Sequence, residues 1–251
     1  MPLETYKKLC TEAYDLDKPE VPAEALLFYL QHLSAVKGPV LEPMCGSGRF
    51  LIPLLELGID IDGVDASPEM LDSCRERCRQ RGLEPVLYEQ FLHDMSLPRQ
   101  YGFVFMPSGS FGLVPAAQVS QSLKRLYDAM LPGGRLVMEI DTPRAQSKSP
   151  GRWVGWWVTR PDGAKVVASF LHRAYDADLQ VEQSLGRYEL FVNGQLERTE
   201  LEEYTLQYYE RPQFQRILES AGFTSVRAMK VYGDGEPDPG DIEIAFMCTR
   251  P

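Results

Sequence analysis

The sequence is poor in the residues that build metal centres and disulfide frameworks. It has three histidines and five cysteines among 251 residues. An odd number of cysteines without a paired framework is typical of a reducing compartment. Because no ligands cluster at the spacing of a zinc site, we predict no metal. The cysteines are Cys10, Cys45, Cys74, Cys78 and Cys248.

Long apolar segments and an excess of positive charge are also absent. No apolar run reaches the ~18 residues of a membrane-spanning helix, so we expect no membrane partner. The N-terminal residues 1–4 lack a basic start followed by an apolar stretch, and a cytoplasmic location is therefore expected. The formal net charge of −10 opposes binding to a phosphate backbone, which argues against a nucleic-acid partner.

Between residues 38 and 142 the sequence alternates short apolar strands with amphipathic helices, joined by short connections. A helix from Pro22 to Val36 precedes this region. The alternation predicts an α/β fold with a doubly wound, mostly parallel sheet covered by helices. The predicted strands are Val40–Leu41, Ile59–Val64, Pro85–Glu89, Tyr101–Met106 and Arg135–Ile140.

The pattern changes after residue 150, where four strand-like segments follow one another. The hairpin signal Asn193-Gly194 and similar turns predict an antiparallel β-meander inserted into the α/β domain. We therefore divide the chain into an N-terminal helical cap (1–37), an α/β domain (38–150 and 209–251) and an antiparallel insertion (151–208). The inserted strands are Trp153–Arg160, Ala164–Tyr175, Leu179–Phe191 and Gln195–Tyr208.

A glycine turn ends the first strand and precedes a helix, in the segment Glu42-Pro43-Met44-Cys45-Gly46-Ser47-Gly48-Arg49. At such a junction backbone N–H groups point outward, and missing Cβ atoms let a ligand approach the main chain. Asp65 ends the next strand, where an acid can accept both ribose hydroxyls of an adenosine. The two features together predict a cofactor that contains adenosine.

Two residues distinguish between adenosine cofactors. A nicotinamide fingerprint requires a third glycine three residues after the second, and Leu51 stands there. Glu42, just before the loop, would repel a pyrophosphate but suits a ligand that carries an ammonium and a sulfonium. The residues therefore favour S-adenosylmethionine over a dinucleotide.

On these residues the sequence resembles the class I, Rossmann-like, S-adenosylmethionine-dependent methyltransferases. The segment from Glu42 to Gly48 is similar to the first motif of that family, and Asp65 to its ribose-binding acid. Leu131-Pro132-Gly133-Gly134 looks like the family's turn before the fifth strand. The resemblance implies a methyltransferase, S-adenosylmethionine as its cofactor, and a seven-stranded sheet whose last strand is antiparallel. The cofactor-binding residues it implies are Glu42, Pro43, Met44, Cys45, Gly46, Gly48, Arg49, Asp65, Ala66, Met70, Phe91, Leu92, Met106, Ser108 and Phe111.

Two positions depart from the family pattern. Met44 replaces the first glycine, so we expect that the backbone there needs no positive φ. Phe91 stands where the family often has an acid for the adenine amino group. The adenine is therefore expected to be held by stacking and by the backbone of Leu92, with Asp94 as the alternative if the register shifts.

The insertion follows the fifth strand, so it should cover the carboxyl ends of the sheet, where open α/β sheets bind ligands. This layout is similar to glycine N-methyltransferase-like enzymes and amino-sugar N,N-dimethyltransferases, in which an N-terminal Tyr-Asp pair closes over the site. The resemblance makes Tyr14, in Tyr14-Asp15, the candidate catalytic residue near the transferred methyl group. The candidate substrate residues are Ser110, Asp141, Trp153 and Arg173.

We predict methyl transfer to a nitrogen or oxygen of a small-molecule metabolite, ahead of a carbon or sulfur. A nucleic-acid or protein methyltransferase stays open, although Met106-Pro107-Ser108-Gly109 differs from the Asp/Asn-Pro-Pro-aromatic motif of adenine-specific DNA enzymes. A protein that binds the cofactor without catalysis also stays open. Because exposed strand edges often pair, so does a homodimer.

Overall fold

Two β-sheets organise the chain in the computed structural model, which describes residues 4–34, 36–147 and 149–251. The α-helices are α1 (Lys8–Asp17), α2 (Ala23–Leu33), α3 (Leu51–Glu56), α4 (Pro68–Gln80), α5 (Val119–Ala129) and α6 (Arg211–Ser220). The strands are β1 (Val40–Pro43), β2 (Ile61–Asp65), β3 (Val86–Glu89), β4 (Tyr101–Met106), β5 (Met130–Asp141), β6 (Trp153–Thr159), β7 (Lys165–Asp176), β8 (Val181–Val192), β9 (Gln195–Gln207), β10 (Thr224–Met229) and β11 (Glu243–Thr249). The predicted helical cap (1–37) includes residues 1–3 and 35, which lie outside the described residues.

The larger sheet has seven strands in the order β10-β11-β5-β4-β1-β2-β3. Strands β1 to β5 pair in parallel, and β11 pairs antiparallel with both β5 and β10. The predicted doubly wound sheet with an antiparallel last strand is thus confirmed. The central strands β1, β2 and β4 are buried on both faces, as parallel strands covered by helices must be. Phe103 and Phe105 of β4 pack toward α2 and α3, while Val104 and Met106 pack toward α5 and α6.

Helix α4 begins as its sequence predicts. Ser67 is the N-cap, and its Oγ accepts a hydrogen bond from the backbone N of Met70 at 3.1 Å. Pro68 occupies the first turn, where its missing N–H costs nothing. The cap fixes the chain direction directly after Asp65 and so positions the carboxyl end of β2.

The smaller sheet is the predicted insertion, four antiparallel strands in the order β6-β7-β8-β9. One face of it packs against α1, and we call this the inner face. Its core contains Val166, Ala168 and Tyr188 against Leu9 and Ala13. The N-terminal helix therefore lies between the insertion and the larger sheet. None of the helices in the described ranges combines the length and apolar character needed to span a membrane.

Candidate active site

The glycine turn after β1 is a run of left-handed backbone. Met44 has φ +56°, Gly46 φ +55° and Gly48 φ +80°. The expectation that Met44 needs no positive φ is therefore wrong, because the turn keeps its conformation without glycine at that position. A Cβ added to Gly48 would lie 2.5 Å from Cys74 Sγ, so this residue has to be glycine for packing as well as for φ.

Asp65 lies against the turn at the end of β2. Its Oδ2 accepts the backbone N–H of Gly46 at 2.8 Å, and its Oδ1 accepts that of Ser67 at 2.8 Å. A carboxylate has about four acceptor sites, so each oxygen can still accept one hydroxyl. The two backbone bonds orient the carboxylate, and the remaining sites fit the two hydroxyls of a ribose. Burial raises the pKa of Asp65, and the two N–H donors oppose that shift.

Glu42 lies beneath the same turn and is 2% exposed. Its Oε2 has no hydrogen-bond partner among the described residues. Burial raises its pKa well above the ordinary value, and the nearby Asp65 charge adds to the shift. A buried carboxyl oxygen without a partner is costly unless a donor arrives. The site therefore fits a ligand that brings an ammonium group, either directly or through water.

The segment after β3 lies beside Asp65, whose carbonyl accepts the backbone N–H of Gln90 at 3.0 Å. Leu92 begins a short 3-10 helix and is buried, whereas the ring of Phe91 is half-buried and lies 5.4 Å from the ring of His93. Asp94 is exposed, and His93 lies 3.3 Å from its Oδ2. These positions are compatible with stacking of a planar base on Phe91, the arrangement expected from the sequence.

Two of the residues expected to touch the cofactor, Phe111 and Met106, have fully buried side chains. Phe111 is fully buried, with ring centroids 6.1 Å from Tyr209 and 5.6 Å from Phe214. The turn after β4 thus directs the ring of Phe111 into the helix layer, and its contact with the cofactor stays a prediction. Met106 is likewise fully buried in β4.

The other residues expected from the motif surround the turn. Pro43, Cys45 and Met70 are buried beside it, and Ala66 is half-buried. Arg49 Nε donates to the carbonyl of Glu20, so this side chain holds the segment between the two N-terminal helices.

The loop after β4 carries the candidates on the acceptor side. Ser108 is exposed with φ +61°, and its backbone N donates to Glu139 Oε2 at 2.6 Å. The other Glu139 oxygen accepts the hydroxyl of Tyr29 from α2. Burial raises the pKa of Glu139 to about 7. Sequence reasoning missed this buried carboxyl, since nothing in β5 marks it as different from a surface acid.

Asp141 ends β5 and lies against the same loop. A Cβ added to Gly109 would come within 2.8 Å of Asp141 Oδ2, so the loop and the carboxyl touch. Burial raises the pKa of Asp141 to about 6, with a further contribution from the charge of Glu243. Ser110 is half-buried and donates to the carbonyl of Pro107 at 2.9 Å. Two of the predicted substrate residues, Ser110 and Asp141, thus meet here.

Tyr6 lies beside the candidate site, although sequence reasoning did not identify it. The carbonyl of Tyr6 accepts the Ser67 hydroxyl at 2.8 Å. Burial raises the pKa of the Tyr6 phenol, and the ionisable groups near it include Asp65 and Tyr14. Its ring centroid is 6.0 Å from that of Tyr204 on the inner face. Tyr6 therefore connects the carboxyl end of β2 with the inserted sheet.

Tyr14 and Asp15 both lie on α1. Tyr14 is half-buried, near Tyr6, with Lys18 Nζ 5.5 Å from its ring centroid. Asp15 accepts the Ser73 hydroxyl at 2.5 Å and lies 3.3 Å from an Arg77 nitrogen, both on α4. Asp15 thus connects α1 to α4 of the larger domain, and Tyr14 lies near Tyr6.

Two buried glutamates of β9 hold the start of α1 from the other side. Glu202 accepts the backbone N–H groups of Tyr6 at 2.7 Å and Lys7 at 2.9 Å, and Glu200 accepts that of Leu9 at 2.7 Å. The N-cap residue of α1 makes no side-chain capping bond, so carboxylates almost 200 residues away supply the cap. Negative charge at a helix N-terminus is favourable.

The remaining substrate candidates do not join this group. Trp153 belongs to the outer face of the insertion, 42% exposed, with the Arg187 guanidinium 4.5 Å from its ring. Arg173 is exposed and pairs with Glu203, on the exposed side of β9, at 2.9 Å. Both side chains lie on the face of the sheet that α1 does not cover, so their role as substrate residues stays a prediction. Trp156, stacked on Phe170 at 5.5 Å, lies on the inner face instead.

No group of His, Cys, Asp and Glu side chains in the described part of the chain has the arrangement of a metal site. All five cysteines are free and buried.

Comparisons with known proteins agree with this geometry. Residues 40–134 match the family described as a methyltransferase domain. Demethylmenaquinone methyltransferase of Thermus thermophilus is 32% identical over 110 residues, which are 42% of this chain and 49% of the relative. The chain thus spans about half the length, or less, of the curated relatives it matches.

Solved structures cover far more of the chain. An S-adenosylmethionine-dependent methyltransferase from Clostridium acetobutylicum superposes with a TM-score of 0.78 at 16% identity, over 94% of this chain and 95% of that one. The sugar N-methyltransferase KedS8 from a Streptoalloteichus species gives 0.69 at 19%, over 90% and 85%. Residues 40–134 therefore match a methyltransferase domain, and the chain has the Rossmann-like fold of these solved structures, with a four-stranded insertion.

Proposed function

We propose that the protein binds S-adenosylmethionine against the glycine turn and Asp65 and methylates an amino group of a small molecule. When bound, S-adenosylmethionine supplies an electrophilic methyl group on a positively charged sulfur. The observation that carries the proposal is the pair of carboxyls at the turn. Asp65 is oriented by two backbone N–H groups, and Glu42 has a buried oxygen without a partner.

In this proposal each residue has a defined task. Asp65 accepts the ribose hydroxyls, and Glu42 receives the amino-acid ammonium directly or through one water. The turn from Met44 to Gly48 lets the ligand lie against the main chain. Methyl transfer then depends mainly on distance and direction, with the reacting atoms held about 3–3.5 Å apart.

An amine is the acceptor class that the surrounding charge favours. Asp141 lies at the end of β5, and burial raises its pKa to about 6, so it is still largely ionised at neutral pH. An anionic wall attracts an ammonium and repels phosphate. The sugar N-methyltransferase KedS8 shares the fold, which supports amino sugars as the first acceptors to examine.

Calorimetric titration with S-adenosylmethionine and S-adenosylhomocysteine tests donor binding. The Asp65→Asn variant places an NH2 group against a backbone N–H and removes a charged acceptor. We expect the variant to bind S-adenosylmethionine more weakly by about 1.5–3 kcal/mol, which is a Kd about ten- to hundred-fold higher. Asp60→Asn is the matched control. Asp60 directly precedes the first residue of β2, at the end of the strand away from Asp65, and pairs with Arg99 at the surface. No heat of binding with either compound, or equal Kd values for both variants, would remove the proposal.

Acceptor class is tested by mass spectrometry with amino sugars and the corresponding neutral sugars. A mass increase of one methyl group on the amine alone is the expected result.

Filter binding of DNA and RNA at low salt tests the nucleic-acid alternative, which the net charge of −10 disfavours. We also infer a homodimer formed through sheet edges, to be measured by light scattering.

A further inference from the structure

A cluster of polar side chains lies on the inner face of the insertion, outside the donor cleft, with Glu182 at its centre. Glu182 is 2% exposed. Its Oε2 accepts the Tyr208 hydroxyl at 2.6 Å and the backbone N–H of Ser147 at 3.1 Å, and its Oε1 contacts His172 Nδ1. Three donors converge on one buried carboxylate, as an ionised group requires.

These contacts set the tautomer of His172. A carboxylate only accepts hydrogen bonds, so Nδ1 of the imidazole carries the proton and Nε2 of the neutral ring keeps a free lone pair. Nε2 makes no hydrogen bond to any residue in the described ranges, and the side chain is 25% exposed. A carboxylate that orients an imidazole in this way is the usual arrangement of a proton-accepting histidine.

The cluster adjoins residues of the candidate site on two sides. On one side Tyr208 lies close to Asp141, whose charge contributes to its raised pKa, and the backbone N of Tyr209 donates to the Asp141 carbonyl at 3.1 Å. On the other side Ser184 is paired across the sheet with Tyr204, whose ring contacts Tyr6.

Glu182 and Ser184 of β8 contact His172 directly. Tyr208, after β9, shares Glu182 with it, and Tyr175 of β7 and Asp141 of β5 are neighbours of Tyr208.

We propose that His172 accepts the proton of the protonated amine through Nε2 and that Glu182 is the positioning residue that keeps Nε2 free. The inference rests on the proposed function. The ammonium R–NH3+ gives one proton to Nε2. The resulting R–NH2 forms the N–CH3 bond as the S–CH3 bond breaks, which leaves a neutral thioether, R–NH2+–CH3 and an imidazolium.

Nitrogen NMR of the full chain labelled with 15N-histidine tests the tautomer. The chain has only three histidines, so the His172→Gln spectrum assigns the signal. In the neutral ring, recorded at alkaline pH, we expect Nδ1 protonated and Nε2 bare. Glu182→Gln should produce a mixture of tautomers, whereas Glu203→Gln, on the exposed side of β9, should not. A protonated Nε2 in the unmodified protein overturns the proposal.

The same sample, saturated with S-adenosylhomocysteine, is then titrated with D-glucosamine, 3-amino-3-deoxy-D-glucose and 4-amino-4-deoxy-D-glucose, with D-glucose as the neutral control. At least one amino sugar should shift the His172 signals while those of His32 and His93 stay in place. Equal shifts with D-glucose, or no shift with any amino sugar, overturn the proposal. If calorimetry shows that S-adenosylhomocysteine binds, such a failure concerns His172 alone. If S-adenosylhomocysteine does not bind, the proposed function itself fails.

The activity measurement separates a proton acceptor from a merely structural cluster. For the amino sugar methylated fastest, His172→Gln should reduce the rate by about 10²-fold or more, the ordinary contribution of a general base. Glu203→Gln should not. A rate within twofold of the unmodified protein in the His172→Gln variant overturns the assignment.

Discussion

Glu139 makes the stability of this protein depend on pH in a direction that can be predicted. Its carboxyl lies between Tyr29 of α2 and the backbone N of Ser108, and burial raises its pKa from 4.5 to about 7. In the unfolded chain the group returns to its ordinary value. Between these two values the folded state binds more protons than the unfolded state, so the free energy of unfolding falls as pH rises.

The difference of about 2.5 pKa units corresponds to about 3 kcal/mol. This contribution is fully present below about pH 4.5 and is lost as the pH rises to about 7. Glu139→Gln keeps the shape and one acceptor oxygen but does not titrate. The free energy of unfolding of the unmodified protein minus that of Glu139→Gln should therefore fall by about 3 kcal/mol over this range.

Urea unfolding followed by circular dichroism at half-unit pH steps measures this difference. Asp141 and the other carboxyls titrate in both proteins, so most of their contribution cancels. Glu243→Gln is the matched control, because Glu243 is exposed on the neighbouring strand and contributes only part of the shift at Glu139. It should reduce the pH dependence slightly. If Glu139→Gln and the unmodified protein show parallel pH curves, the reasoning about burial at this position is wrong.

Two further predictions concern the N-terminal helix and the glycine turn. Glu202→Ala should remove the cap of α1 and lower the free energy of unfolding by about 2–3 kcal/mol. Residues 4–20 of this variant should then be cut faster by limited proteolysis, whereas Glu203→Ala should be cut at the rate of the unmodified protein. Equal cleavage rates for the two variants would contradict the cap. Gly48→Ala should be the more destabilising of two left-handed substitutions, because its Cβ meets Cys74 Sγ at 2.5 Å, whereas Gly58→Ala, at φ +74°, has nothing within 4 Å. In thermal unfolding, Gly58→Ala should lower the free energy of unfolding by roughly 1 kcal/mol and Gly48→Ala by clearly more. Equal losses for the two variants would contradict the close approach at Gly48.

The donor side of the site could be predicted because its parts are close in sequence and obey local rules. A glycine turn, a helix and a strand bring Gly46 to Asp65 whatever the rest of the chain does. The N-cap at Ser67 and the alternation of strands and helices likewise depend on neighbouring residues. The conformation of Met44 was the exception, since the packing of the turn imposes a positive φ that its side chain does not suggest.

The acceptor side could not be predicted in the same way. Period-two alternation shows that Trp153 and Trp156 point to opposite faces of β6, but not which face α1 covers. The side of the sheet that meets the cleft depends on how the insertion docks, and that is a property of the assembled chain.

The sequence alone determined the α/β architecture, the antiparallel insertion and the glycine turn after β1, because hydrophobic periodicity and turn chemistry act over a few residues. Only the tertiary structure decided the roles of Glu139, Glu202 and the His172–Glu182 pair. Each of these carboxyls acquires its function by burial against donors that lie 10 to about 196 residues away along the chain. The environment that distinguishes such an acid from a surface glutamate forms only when the distant segments pack together.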